Sequence, residues 1–256
     1  MESREVREYR YSSIFLTFLA VSIFTGIIGA FFNRNSYIYN IFADFIGIFG
    51  SYAVAAGLLN NRMGGFTKYL STLKTFTLKA LVINLVISLG FSFLEVLVGI
   101  PMIFNSSSPR PMTDSIAKLS SNDLIFIGLF LLFSAVVYLL TAYMNFVLAD
   151  KRFKECGIVE TISIIFKTGK SLFKETLILS LKYYGFIIFL MGLVVLGALF
   201  SIEFLIEISF ILLGVSIFAL WLLLPGYYAR LSDFYIEYIK GYSNGDVKFK
   251  EEIILN

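Results

Sequence analysis

The sequence predicts an all-α, polytopic membrane protein with six transmembrane helices and amphipathic helices lying along one membrane interface. Three observations carry this. Hydrophobic residues make up 58% of the 256 positions and charged residues 15%, against a charged share of about 25% in soluble domains. The apolar residues also fall in uninterrupted runs. About 20 helical residues cross a ~30 Å hydrocarbon layer, whereas a soluble helix breaks such a run with a polar face. Finally, the cations are sorted onto alternate loops.

The spans follow in order. Residues 14–32 form the first, retained because a cleaved leader has a shorter apolar core and a small-residue cleavage site, which AFFNRN does not offer. Residues 41–60 form the second. Ser22, Gly26 and Ala30 in the first, and Ala43, Gly47, Ser51 and Ala55 in the second, make small-residue stripes. Such stripes let helices approach where no hydrophobic effect draws them together, so these two spans are expected to pair.

Residues 61–79 then read as a short amphipathic helix. Phe66, Tyr69, Leu70, Leu73 and Thr77 share one face; Lys68, Thr72, Thr75 and Lys79 share the other. Residues 80–104 form the third span and 124–149 the fourth, joined by a Ser- and Pro-containing loop whose charges cancel. From Asp150 to Lys182 comes a basic stretch holding seven of the 21 Lys and Arg residues. In it Ile158, Ile162, Ile165, Leu172 and Phe173 lie on one helical face, opposite Glu160, Lys167, Lys170 and Lys174. Ile164 departs from the pattern. Spans at 181–200 and 204–224 form a tight hairpin, ended by Pro225-Gly226, with a mixed tail expected to start as a helix along the interface. The whole chain reads as one integral membrane domain.

Sidedness follows from the cations. The N-terminal segment, the loop after span 2, the stretch after span 4 and the tail together hold 18 Lys and Arg; the opposite side holds Arg34, Arg110 and Lys118. Cytoplasmic loops are enriched in Lys and Arg. Both termini of a multi-pass protein of the cell membrane are therefore expected in the cytoplasm. The two basic loops also resemble each other: each opens on glycine, winds an amphipathic helix and leads into a span, as a parallel repeat would.

The stretches NFVLADKRF, GIVETISIIFKTGKSLFKETLILSLKYYGF and LLLPGYYARLSDFYIEY show a polar end to span 4, a glycine before an amphipathic loop, a cationic start to span 5, and Pro-x-Tyr-Tyr after span 6. This pattern, over roughly residues 60–240, resembles the membrane-domain family of glycerophosphoryl diester phosphodiesterases and its stand-alone six-span relatives. The resemblance implies a fold type. The chain holds no phosphodiesterase catalytic domain, so no activity or catalytic residue is implied.

Charged groups inside spans are costly there and mark functional sites. Glu95, deep in span 3, and Asp44, near the start of span 2, are the candidates for a solute or cation site. Glu203 and Glu207 map to the same side at interface depth. Lys182 snorkels, and Lys167, Lys170 and Lys174 are placed to grip the headgroups of anionic lipids. The sequence contains no His and a single cysteine, Cys156, and it lacks HExxH, GxSxG and Walker motifs. No enzyme activity, metal, cofactor or nucleic-acid partner is expected. Two functions remain. One is a permease-like or accessory protein for a small or hydrophobic solute. The alternative is the membrane subunit of an ATP-driven exporter or self-immunity system, whose amphipathic loops would dock on a separate ATPase.

Overall fold

The computed structural model describes residues 7–32, 37–98, 121–200 and 202–241. Among these the ordered elements are all helical. They are α1 (Tyr11–Phe31), α2 (Tyr37–Asn60), α3 (Phe66–Ser71), α4 (Leu78–Val98), α5 (Ser121–Thr141), α6 (Met144–Ala149), α7 (Ile158–Ser171), α8 (Phe173–Leu199) and α9 (Glu203–Gly241). Short 3-10 turns follow α3 and α6. Five helices are long and apolar enough to cross a bilayer, and α3 with its 3-10 turn, bent by 96° against the first half of α4, adds a sixth candidate. The chain is a membrane protein. Of the expected loop 105–123, residues 105–120 lie outside the described ones.

Two compact units divide the chain. The first comprises 1–84, 140–176 and 224–256; the second comprises 85–139 and 177–223. The second unit is what a lipid-solvated helix pattern produces. Leu89, Leu129, Leu132, Phe186, Phe189, Ile211, Val215 and Phe218 all point outward, while Leu190 and Val194 are buried. Every backbone group of a span is satisfied within its own helix, so lipid accepts such a surface readily.

The first unit has a dense aromatic core in which Tyr52, Tyr69, Tyr143, Phe146, Tyr227 and Tyr235 are fully enclosed. Here α1 packs on α2 and α2 on α6. The expected α1–α2 pairing is present, but through another face. Ser22, Gly26 and Ala30 are exposed, and the close approach is made where the Val21 methyl group meets Gly50. The inward face of α1 is set by Ser13, Ile14 and Thr17. The Thr17 hydroxyl donates to the Ser13 carbonyl at 2.8 Å, and that of Ser13 donates to the Gly64 carbonyl at 2.7 Å. These polar groups need protein partners, so they turn inward and the small stripe turns away.

Three other elements differ from expectation. Span 4 is interrupted: α5 ends at Thr141, a turn holds Tyr143, and α6 completes the run. In the 61–79 segment, Thr72 is buried, its hydroxyl donating to the carbonyl of Tyr69 at 2.6 Å, while Leu70 is exposed. The last helix does not stop at Pro225-Gly226. It runs on to Gly241 as one α-helix of 39 residues, roughly 58 Å long at 1.5 Å per residue. Proline removes one N–H bond and crowds the preceding turn, and the burial of Tyr227, Ala229 and Leu231 after it carries the helix on. The expected interfacial tail is instead an inner pillar: Tyr227, Ala229, Leu231, Ser232, Asp233, Tyr235 and Ile239 are all buried in the first unit.

Candidate functional site

The polar chemistry of the first unit gathers around that pillar in two clusters. In the first, Arg62 leaves the turn after α2 and spends its donors on five acceptors. Nη2 donates to Asp233 Oδ1 at 2.7 Å, and Nη1 donates to Ser232 Oγ at 2.8 Å. The carbonyls of Ala229, Arg7 and Glu8 take the rest. The side chains of Arg62 and Asp233 are 14% and 5% exposed. Burial pulls the Arg62 guanidinium below its ordinary value, with Asp233 opposing that shift and Arg7 adding to it. Asp233 Oδ2 is buried with no hydrogen-bond partner among the described residues.

The second cluster is built on Asp150. The Arg152 side chain forks onto it, Nε to Oδ1 at 3.0 Å and Nη2 to Oδ2 at 2.6 Å, while the Arg152 N–H donates to Oδ1 at 3.0 Å. The hydroxyl of Tyr235 donates to Oδ2 at 2.9 Å. Burial pushes the carboxyl of Asp150 up. The hydrogen bonds from Arg152 and Tyr235 and the guanidinium charge outweigh it, so Asp150 titrates below the usual 3.8. The ring of Tyr235 stacks on Phe146 at 5.8 Å and on Tyr143 at 6.3 Å.

Lys79 joins the same neighbourhood. Its ammonium donates to the carbonyls of Phe153, Lys154 and Cys156 at 2.7, 3.0 and 3.0 Å. Three donors meet three acceptors, so the charge is satisfied without a carboxylate. Deeper in the helices, Asn84 Nδ2 donates to Asn145 Oδ1 at 3.2 Å, and the hydroxyls of Tyr143 and Thr176 lie 2.7 Å apart. A cleft of about 280 Å³ lined by Leu172, Glu175, Phe234, Glu237 and Tyr238 opens beside the pillar.

The second unit holds a different kind of polar group. The hydroxyls of Ser134 on α5 and Ser209 on α9 are buried with no hydrogen-bond partner among the described residues.

Asp44 stands on an exposed position of α2 beside Ile41 and Phe42. Glu95 is on α4 and Glu203 opens α9, and the side chains of both lie outside the described ones. Glu207 is exposed on α9. On the expected headgroup face, Lys170 and Lys174 are exposed and Lys167 is half-buried. Sequence reasoning missed Arg62, Asp233, Asp150 and Tyr235. The one available signal was charge inside otherwise apolar, aromatic stretches, ADKR and RLSDFY. The arrangement can hold charge and fix helices. The stretches NFVLADKRF and PGYYARLSDFY meet at the second cluster through Asp150, Phe146 and Tyr235. No family model, no curated protein and no solved structure matches the chain.

Proposed function

We propose that the chain is a six-span protein of the cell membrane, both termini cytoplasmic, acting as a permease-like or accessory protein for a small or hydrophobic solute. The observation that carries this is the pair of buried hydroxyls of Ser134 and Ser209, unpartnered among the described residues. Hydroxyls buried in apolar surroundings normally find a partner, because leaving one unmade costs about 1–3 kcal/mol. A solute that passes either hydroxyl supplies it. Glu95 belongs to the same unit, and a carboxyl at that depth marks a solute or ion route.

The test compares Ser134→Ala, Ser209→Ala and Glu95→Gln in cells in which the wild-type gene confers a transport or tolerance phenotype. Solute handling is expected to fall about tenfold for each hydroxyl that donates to the solute, at unchanged protein level. Intact handling in all three variants removes the reading.

A second reading, the membrane subunit of an ATP-driven exporter, draws on the exposed Lys68, Leu70 and Lys74 around α3. These would form a docking surface for a separate ATPase. Purification in mild detergent without any co-eluting ATPase rejects it. The resemblance to the membrane domain of the phosphodiesterase family supports the six-span reading and assigns no substrate.

A further inference from the structure

Helix α7 presents three faces. Thr161, Ile164, Ile165, Thr168 and Gly169 are buried in the first unit, where Gly169 lies directly against the backbone carbonyl of Leu140. This buried arc takes in Ile164, the residue that breaks the two-face pattern, and leaves Ile158 exposed. At 100° per residue, Ile162, Phe166 and Val159 form the next arc. Val159 is 82% exposed, and Phe166 is also exposed. Lys170 and Lys167 border that arc on its far side, and Lys174 follows in the first turn of α8. One residue, Leu172, separates α7 from α8, whose run from Phe173 is a candidate span. The apolar strip and its cations therefore sit where a helix enters the bilayer.

From Asp150 to Glu175 six cations stand against four acids, of which Glu155 is exposed and Glu175 half-buried. Asp150 is taken up by Arg152 and Tyr235, and Glu160 accepts the Gly157 N–H that starts the helix, at 3.2 Å. Lys170 and Lys174 are exposed beside an apolar strip, the arrangement that seats a helix among anionic headgroups.

We propose that the outward face of α7 is seated in the membrane interface and selects anionic lipids, with Val159 and Phe166 at the acyl boundary and Lys170 and Lys174 against lipid phosphates. The cysteine at 156 is the sole one in the chain, which makes a direct test simple. In a Cys156→Ser background, nitroxide labels are placed through Val159→Cys, Phe166→Cys and Ile165→Cys. The full chain is reconstituted in vesicles of phosphatidylcholine, with or without phosphatidylglycerol. Labels at 159 and 166 are expected to collide with oxygen in preference to a water-soluble nickel chelate, more strongly when phosphatidylglycerol is present. The label at 165 is expected to meet neither reagent.

A second measurement titrates detergent-solubilised protein with phosphatidylglycerol and follows the melting temperature. Each cation near an anionic surface is worth roughly fivefold in affinity. Joint substitution Lys170→Gln and Lys174→Gln should therefore weaken the response about 25-fold, with the lipid-free melting temperature unchanged. Labels reached by the nickel chelate overturn the proposal, because the face is then in water. So do labels at 159 and 166 shielded from both reagents, as a second copy or a protein partner would leave them. Equal responses to phosphatidylglycerol and phosphatidylcholine overturn it as well.

Discussion

Arg62 is tied to Asp233 across 171 positions of sequence; Asp233 is buried and the Arg62 side chain only 14% exposed, so the pair behaves unlike a surface salt bridge. Removing one member of a buried pair strands the other charge, at about 3–5 kcal/mol. Arg62→Ala should therefore lower unfolding stability in detergent by about that much, whereas Ser232→Ala, which removes one of five contacts, should cost about 1–2 kcal/mol. Thermal and denaturant unfolding of the two variants, compared side by side, checks the ranking. Asp150 carries a pH prediction. Its folded value lies below the ordinary 3.8, so the folded state holds that proton less tightly than the unfolded chain. Its stabilising contribution is complete above the ordinary value and is lost as pH falls from there through the folded value. The gap in melting temperature between the wild type and Asp150→Asn should thus be constant near neutrality and narrow from about pH 4 downward. A gap that widens on acidification would reverse the assignment.

Glycines show what each element needs. A Cβ on Gly169 would run into the backbone of Leu140, which cannot swing aside; a Cβ on Gly157 meets nothing within 4 Å, and the backbone there, φ −64°, suits any residue. Gly169→Ala should cost about 1–3 kcal/mol by forcing α7 off α5, and Gly157→Ala should be near neutral; melting curves of the two variants decide it. The same contrast explains what the sequence made readable. Spans were legible because lipid demands long apolar runs whatever the neighbours are. The glycine starts of the two basic loops were legible as well, and Gly65 and Gly157 do adopt nearly the same conformation, with ψ 169° and 167°. Partner choice was not legible. Nothing local tells Arg62 to seek Asp233, or Lys79 to cap the carbonyls before α7. Tyr69 and Thr72, assigned to different faces of the segment, stand only about 60° apart at 100° per residue, and both are buried where α1 and α2 pack on it. Pro225 reads as a stop, and the stop is overridden by burial of Tyr227, Leu231 and Tyr235 one to three turns later.

The proposed sidedness of the whole molecule has its own measurement. Reporter fusions at both ends, and impermeant labelling of a cysteine substituted at Asn35 or Ser107 in a Cys156→Ser background, should place the termini inside and both loops outside. An end found outside would end the six-span proposal. The pillar formed by the second half of α9 bears on how such a molecule is made. Arg62 leaves the ribosome long before Asp233 does, and Asp150 before Tyr235, so the early helices must reach the bilayer with the Arg62 charge still waiting for its carboxylate. The first unit is therefore complete only once the second half of α9 has been made. Nascent chains stalled before Pro225 should be recognised as incomplete and degraded, even with most of their hydrophobic segments already inserted.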